Sequence, residues 1–429
     1  MLQRLRCFSL FVIFIMALVP VSAHAVFGDG PDTGDSLTLK EIVIEGNSRT
    51  DRQLILNEMN LQVGQVFDRE MMNQVWIMLE DIGYFAFVDM EFDDSSGDGV
   101  VLNVYVEEDM TMAYGPLVRY SRRHKYMLGA WLEETNLRGK GETLRLDLTG
   151  LYIQRGEAAW TKPWLLGVRG LDLKLSLLGE KSNFVYRPTD QYLGWGDAEI
   201  RWNFLGNLYV SSGLNYGQSK YRDDYYWTDP VSGVSVFHQN GTVSHLATRA
   251  VLGFDSRDNP WYPSRGIMAE VQAQHWASDD FNSYTAITGD VRLFAPMPMG
   301  KHVLAVRAWG RRTDGRSHLE NTLFLGGPET IRGYQFGGLE GDEGYLLSVE
   351  YRIPLFMMPI SAKGEMVGFG LHAFGDAGDA WYDGLDAQRA LQSWGAGAHL
   401  NIDRMQLRFE AAKTREGEWV FEFMDHFNF

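Results

Sequence analysis

The stretch Leu171-Asp172-Leu173-Lys174-Leu175-Ser176-Leu177 alternates an apolar residue with a polar or charged one over seven positions. Side chains on a β-strand point to opposite faces in turn, so this period of two predicts a strand with one greasy and one wet face. The rhythm returns near the end of the chain, where Met405, Leu407 and Phe409 alternate with Gln406, Arg408 and Glu410. A water-soluble sandwich would turn the apolar face inward. A transmembrane barrel turns it outward to lipid and keeps the charges in the lumen.

Three features of the sequence favour the membrane. Arg4 and Arg6 precede an apolar run from Cys7 to Val19, and Ala23-His24-Ala25 gives a small-x-small cleavage pattern. Residues 1–25 therefore read as an export signal peptide, followed by a linker over 26–36. The candidate strands are about ten residues long, the length a tilted membrane strand needs. Trp160, Trp164, Trp202, Trp261, Trp276 and Trp309 fall near strand ends, where an interfacial girdle would lie.

Residues 113–429 divide into about sixteen such strands, an even number that returns the C-terminus to the side of the first strand. Connections alternate in length. Long ones cover 181–192, 220–242, 313–344 and 376–392, and short ones include 136–142, 206–207 and 401–404. The predicted class is mainly β: a transmembrane antiparallel barrel over 113–429, with the short turns on the side of an N-terminal domain.

Composition agrees. The 429 residues are 45% hydrophobic and 13% aromatic, with 46 glycines and 13 prolines, which suits many strands and tight turns. The formal net charge of −17 argues against a nucleic-acid partner, which requires basic patches. The only cysteine, Cys7, lies in the signal segment, so no disulfide framework, cysteine nucleophile or cysteine metal site is expected. No G-x-S-x-G, H-E-x-x-H or phosphate-binding loop occurs, so the reading assigns no catalytic residue, cofactor or metal. A Ser/His pair in the barrel wall is the enzymatic alternative; the scattered histidines, among them His372 and His399, read rather as solvated or lumen-facing.

Residues 37–109 form a separate unit. Leu39 to Glu45 alternates and stops at Gly46-Asn47. Thr50 or Asp51 can cap a helix reaching about Leu61 and ended by Gly64, and Asp68 can cap a second helix that ends before Gly83. Strands at 85–92 and 100–106 complete a β-α-α-β-β order. Asp93, Asp94 and Asp98 between them read as a hairpin turn, since their spacing is poor for calcium. The stretch resembles a POTRA domain through Ile42-x-Ile44-x-Gly46-Asn47, Gly64-x-x-Phe67 and Gly83-Tyr84-Phe85-x-x-Val88.

The longest connection holds Leu325-Gly326-Gly327-Pro328-Glu329-Thr330-Ile331-Arg332-Gly333-Tyr334. By spacing alone, Arg332 is either a solvated turn residue or a guanidinium reaching a carboxylate such as Glu350 or Asp376. Ile331-Arg332-Gly333-Tyr334 is similar to the signature loop of the BamA/TamA superfamily, and Phe374-x-Asp376-x-Gly378 is similar to its later motif. Asp255-Ser256-Arg257-Asp258-Asn259-Pro260 and Asn136-Leu137-x-Gly139-x-Gly141 resemble its periplasmic turns. The resemblance implies that the loop folds into the lumen with Arg332 paired to Asp376 and Glu350. The C-terminal series Phe421, Phe423, Phe427 and Phe429 resembles the terminal signal of outer-membrane barrels. Gly115 and Pro116 weaken the first barrel strand and, with Phe427 and Phe429, define a soft seam.

The resemblance further implies a Gram-negative outer-membrane protein with its POTRA domain in the periplasm. It would assemble or translocate unfolded outer-membrane or secreted clients, in contact with the lipid bilayer, lipopolysaccharide and an accessory periplasmic protein. Clients would add as a strand to the POTRA edge formed by Ala86, Phe87, Val88, Asp89, Met90, Glu91 and Phe92. A dedicated secretion pore and a passive channel or adhesin are the alternatives.

Overall fold

The computed structural model describes residues 37–67, 69–93, 99–121, 125–151, 153–183, 190–228, 235–360, 366–382, 390–403 and 405–424. The signal peptide, the linker, Asp68, Asp94, Asp98, Phe427 and Phe429 lie outside the described residues.

The N-terminal unit consists of β1 (Leu37–Glu45), α1 (Arg52–Met59), β2 (Val66–Phe67), α2 (Arg69–Asp81), β3 (Phe85–Asp93) and β4 (Val100–Glu108). The alternating apolar positions of β1 and β4 bury Leu39, Ile42, Leu102, Val104 and Val106 against Ile55, Met59, Val75 and Leu79 of the helices. The sheet order β2-β1-β4-β3 leaves β3 at an edge, with β1 and β4 parallel. Two sequence expectations change. The Gly64-x-x-Phe67 segment between the helices contains β2, which pairs with the start of β1 and makes the order β-α-β-α-β-β rather than β-α-α-β-β. A two-residue strand carries no periodicity, and only its long-range partner defines it. The first helix stops at Asn60, not Gly64: Asn60 takes a left-handed conformation and its N–H caps Leu56 and Asn57 carbonyls. Asparagine tolerates that conformation nearly as glycine does.

Sixteen strands form the second unit, one continuous antiparallel sheet. They are β5 (Met112–Ser121), β6 (Lys125–Leu137), β7 (Glu142–Leu151), β8 (Ile153–Lys162), β9 (Leu171–Asn183), β10 (Asp190–Phe204), β11 (Leu208–Tyr221), β14 (Gly241–Asp255), β15 (Gly266–Ala277), β16 (Tyr284–Pro296), β17 (Val303–Asp314), β20 (Glu343–Pro359), β21 (Met366–Trp381), β22 (Leu391–Asp403), β23 (Met405–Thr414) and β24 (Trp419–Met424). Two small hairpins sit in the long connections: β12 (Tyr225–Thr228) with β13 (Ser235–His238), and β18 (Leu323–Leu325) with β19 (Leu339–Gly341).

The greasy side faces out. Leu175 and Leu177 are 41% and 66% exposed while Ser176 between them is 8% exposed. On β23, Phe409 is 57% exposed while Arg408 and Glu410 are enclosed. That pattern is the reverse of a soluble sandwich and fits a lipid-facing barrel. Among the described residues no helix is long and apolar enough to cross a membrane.

Several strands run longer than the expected ten residues, reaching 17 in β20. The expected tryptophan girdle is also incomplete. Trp202 and Trp261 are exposed, but Trp276 is buried and stacked on Tyr284. Trp309 packs on the apolar cluster of the long loop, and Trp164 hydrogen-bonds Glu58 of α1 at 2.7 Å. Proximity to a strand end does not tell which face of the wall a ring occupies.

Candidate functional site

The connection between β17 and β20 folds back so that Ile331 and Arg332 are completely buried. Ile331 packs with Leu325, Leu339, Leu346 and Ala380, a small apolar core that seats the loop on the wall. Gly378 makes this fit possible: a Cβ there would lie 2.9 Å from Ile331 Cδ1 and 2.6 Å from the Tyr345 carbonyl oxygen.

Arg332 then reaches three acids. Its Nε and Nη2 donate to the two oxygens of Asp376 at 2.7 and 2.8 Å, a bidentate fork. Its Nη1 donates to Glu350 at 2.8 Å and to Glu410 at 3.2 Å. Phe374 lies under the guanidinium, 3.6 Å from Cζ to the ring centroid. Arg408 bonds Glu350 at 2.5 Å and Glu410 at 2.9 Å, and Arg352 bonds Glu350 at 2.8 Å. His372 lies 2.8 Å from Glu410, and its other ring nitrogen lies 3.1 Å from His399. His399 in turn meets Tyr262, 3.1 Å away, from the turn before β15.

Glu350, His372 and Glu410 lie close enough to hold a cation. The guanidiniums of Arg332, Arg352 and Arg408 already occupy both carboxylates and would repel a metal ion, so the donor set does not fit one. The arrangement is a charge-balanced clamp of three guanidiniums and three carboxylates.

Gly333 and Tyr334 extend the contacts to the end of the barrel. The Gly333 N–H donates to Glu422 of β24 at 3.1 Å. Gly333 has φ +86°, and a Cβ there would fall 2.9 Å from that of Ala412, so both conformation and space call for glycine. The Tyr334 hydroxyl donates to Glu416 at 2.7 Å and accepts from the Arg415 N–H at 3.2 Å.

Sequence reasoning named Arg332, Asp376 and Glu350, and the structure brings them together. It did not name Arg352, His372, His399, Arg408, Glu410 or Glu422 as site residues. The alternation already pointed Arg408 and Glu410 to the lumen, but nothing local says which strands stand beside the loop.

The POTRA edge is more guarded than its sequence suggested. Among the residues from Ala86 to Phe92, Val88 and Met90 bury their side chains in the domain core, while Phe87 is 50% exposed. The Trp76 indole donates to the Val88 carbonyl at 2.9 Å, and the Asp89 carboxylate accepts from the Met90 N–H at 2.9 Å. Local side chains therefore already engage part of the ladder an added strand would use.

The POTRA domain sits on the first short turn of the barrel. The Asp51 N–H donates to the Gly139 carbonyl at 2.8 Å, and Asn136 joins Thr50 Oγ1 at 2.9 Å. Arg49 reaches Thr111 and Glu134. A Cβ on Gly139, whose φ is +71°, would overlap the Arg49 carbonyl at 1.9 Å. In the seam region, Gly115 and Pro116 pair with Trp131 and Ala130 of β6. Among the described residues β5 and β24 share no ladder; β24 pairs with β23 alone.

Comparison with known families matches both units. A family model described as the Omp85 superfamily domain matches residues 136–419, and a POTRA model, described as surface antigen variable number repeat, matches residues 37–109. The outer membrane protein assembly factor BamA of Nitratidesulfovibrio vulgaris is 31% identical over 320 residues, 69% of this chain and 37% of that protein. A putative outer membrane protein assembly factor of Treponema pallidum is 25% identical over 288 residues, 63% of this chain and 33% of that one. The chain thus spans about a third of the length of these relatives. BamA from Haemophilus ducreyi lacking POTRA domains 1–3 superposes with TM-score 0.70 at 17% identity, covering 91% of this chain and 84% of that one. CdiB from Acinetobacter baumannii superposes with TM-score 0.59 at 13% identity, covering 91% and 74%. These two likenesses establish the barrel fold.

Proposed function

This chain belongs to the Omp85 superfamily, and from that premise we propose that it is an outer-membrane assembly factor that inserts unfolded β-barrel clients through the seam between β5 and β24. The observation that carries the proposal is that β5 and β24 share no ladder among the described residues. Backbone groups left unpaired in hydrocarbon cost several kcal/mol each. An incoming strand would satisfy them with main-chain bonds that are nearly blind to sequence. The free energy would come from client folding and burial, with no catalytic group or cofactor taking part.

The POTRA domain, in the periplasm, would receive clients along β3. Lipopolysaccharide would surround the outward ends of the barrel, and an accessory periplasmic protein would share the POTRA surface. Similarity to an assembly factor at 31% identity favours assembly over secretion of one dedicated partner. The docked loop inside the lumen argues against a passive channel.

Depletion of the protein followed by outer-membrane proteomics tests the reading. Broad loss of barrels supports assembly. Loss of a single exported protein would replace it with dedicated secretion, and an unchanged proteome would replace it with a passive role.

A further inference from the structure

Glu422 is the residue of the last barrel strand that meets the loop tip. It lies directly opposite Glu410 in the β23–β24 ladder, and both are buried on the lumenal face. Like charges at opposed positions destabilise a strand pair. Glu410 is offset by Arg332, Arg408 and His372. The polar contact that the loop gives Glu422 is a main-chain one, the N–H of Gly333.

Three consecutive loop residues therefore hold the final hairpin from inside. Arg332 takes Glu410 on β23, Gly333 takes Glu422 on β24, and Tyr334 takes Glu416 and the Arg415 amide in the turn between them. The same Arg332 is anchored to β20 and β21 through Glu350 and Asp376. On its other side β24 has no ladder to β5 among the described residues.

We propose that Glu422 is a positioning residue: through Gly333 it couples the last barrel strand to the docked loop, so that releasing the loop tip frees β24 to move. The coupling itself needs only the contacts described. Its use in client insertion rests on the seam reading above.

The test is hydrogen exchange of the full-length protein in nanodiscs, read at the amides of β23 and β24. Glu422→Ala removes the acceptor and should speed exchange of β24 by on the order of tenfold, the scale of a lost hydrogen bond to a charged acceptor. Exchange in β9 to β16 should stay unchanged. Glu422→Gln keeps an oxygen acceptor and should restore most of the protection, which a purely charge-based role would not predict. If Glu422→Ala does not fold, Tyr334→Phe removes only the hydroxyl contacts and should loosen the same hairpin to a smaller degree. Wild-type exchange of β24 in a folded Glu422→Ala protein, or in Tyr334→Phe where the alanine variant does not fold, overturns the proposal. Faster exchange with normal client assembly upholds the coupling and counts against insertion through the seam. Normal exchange with loss of barrels on depletion does the reverse.

Discussion

Replacing Arg332 with alanine would leave Asp376, Glu350 and Glu410 with Arg352, Arg408 and His372, and all of these side chains are enclosed. Four guanidinium hydrogen bonds would go with it. Breaking a buried ion pair by removing one partner costs about 3–5 kcal/mol. Lumenal cavities of about 340 and 370 Å³ with charged linings lie elsewhere in the barrel, so water that enters after the change would bring the cost toward the lower value. At a factor of ten per 1.4 kcal/mol, the undocked fraction of the loop should rise roughly 10²- to 10³-fold. Limited proteolysis of the intact protein reads this directly, because cleavage tracks the open population when opening is faster than cutting.

Arg332→Lys should fall between, since lysine keeps the charge but cannot fork onto Asp376. Arg332→Asp and Asp376→Arg should each be as severe as the alanine change. Their combination should recover only part of the loss, because a carboxylate at position 332 would still oppose Glu350 and Glu410. Cleavage of Arg332→Ala within about threefold of wild type would refute the clamp as the force that docks the loop. Full rescue by the double exchange would refute the sharing of Arg332 among three acids.

Burial pushes the Glu108 carboxyl up, but hydrogen bonds from Ser48, Thr50 and Arg49 outweigh it and hold it below the ordinary carboxylate value. A depressed carboxylate stabilises the fold above its unfolded pKa and loses that contribution as pH falls through the folded value. Fluorescence or exchange titration should therefore show the 48–50 segment loosening as pH falls below the ordinary carboxylate range, and Glu108→Gln should show it at neutral pH. Gly139→Ala should unseat the POTRA domain from the barrel, read as faster exchange at Arg49 and Asp51; an unchanged rate would mean the contact at the Gly139 carbonyl is dispensable. Trp76→Phe frees the Val88 carbonyl, a bond worth about 0.5–1.5 kcal/mol. Binding of an unfolded barrel peptide to the full chain, followed by fluorescence anisotropy, should tighten by up to about tenfold, and weaker binding would mean that the indole helps hold clients.

Much of the architecture was legible before any coordinates. The alternation around Leu171–Leu177 and Met405–Glu410 predicted strands with a greasy outer face, about sixteen of them, and the sheet has sixteen among the described residues. Helix ends and β2 were less legible, because the residues that stop α1 or pair with Thr38 act through hydrogen bonds to distant or competing partners. The tryptophans misled because a ring near a strand end serves lipid, lumen or the POTRA domain equally well by sequence position.

Arg332 was recognisable from its motif, and so was its pairing to Asp376 and Glu350. The remaining clamp was not, because Glu410 and Glu422 come from strands that stand 78 and 89 residues away from Arg332 and Gly333 along the chain. Period and turn chemistry are local, so the amino-acid order alone decides which side chains face the lumen. Which of those inward charges meet depends on strand order and register, and these are settled only when the sheet curls and the loop drops inside it.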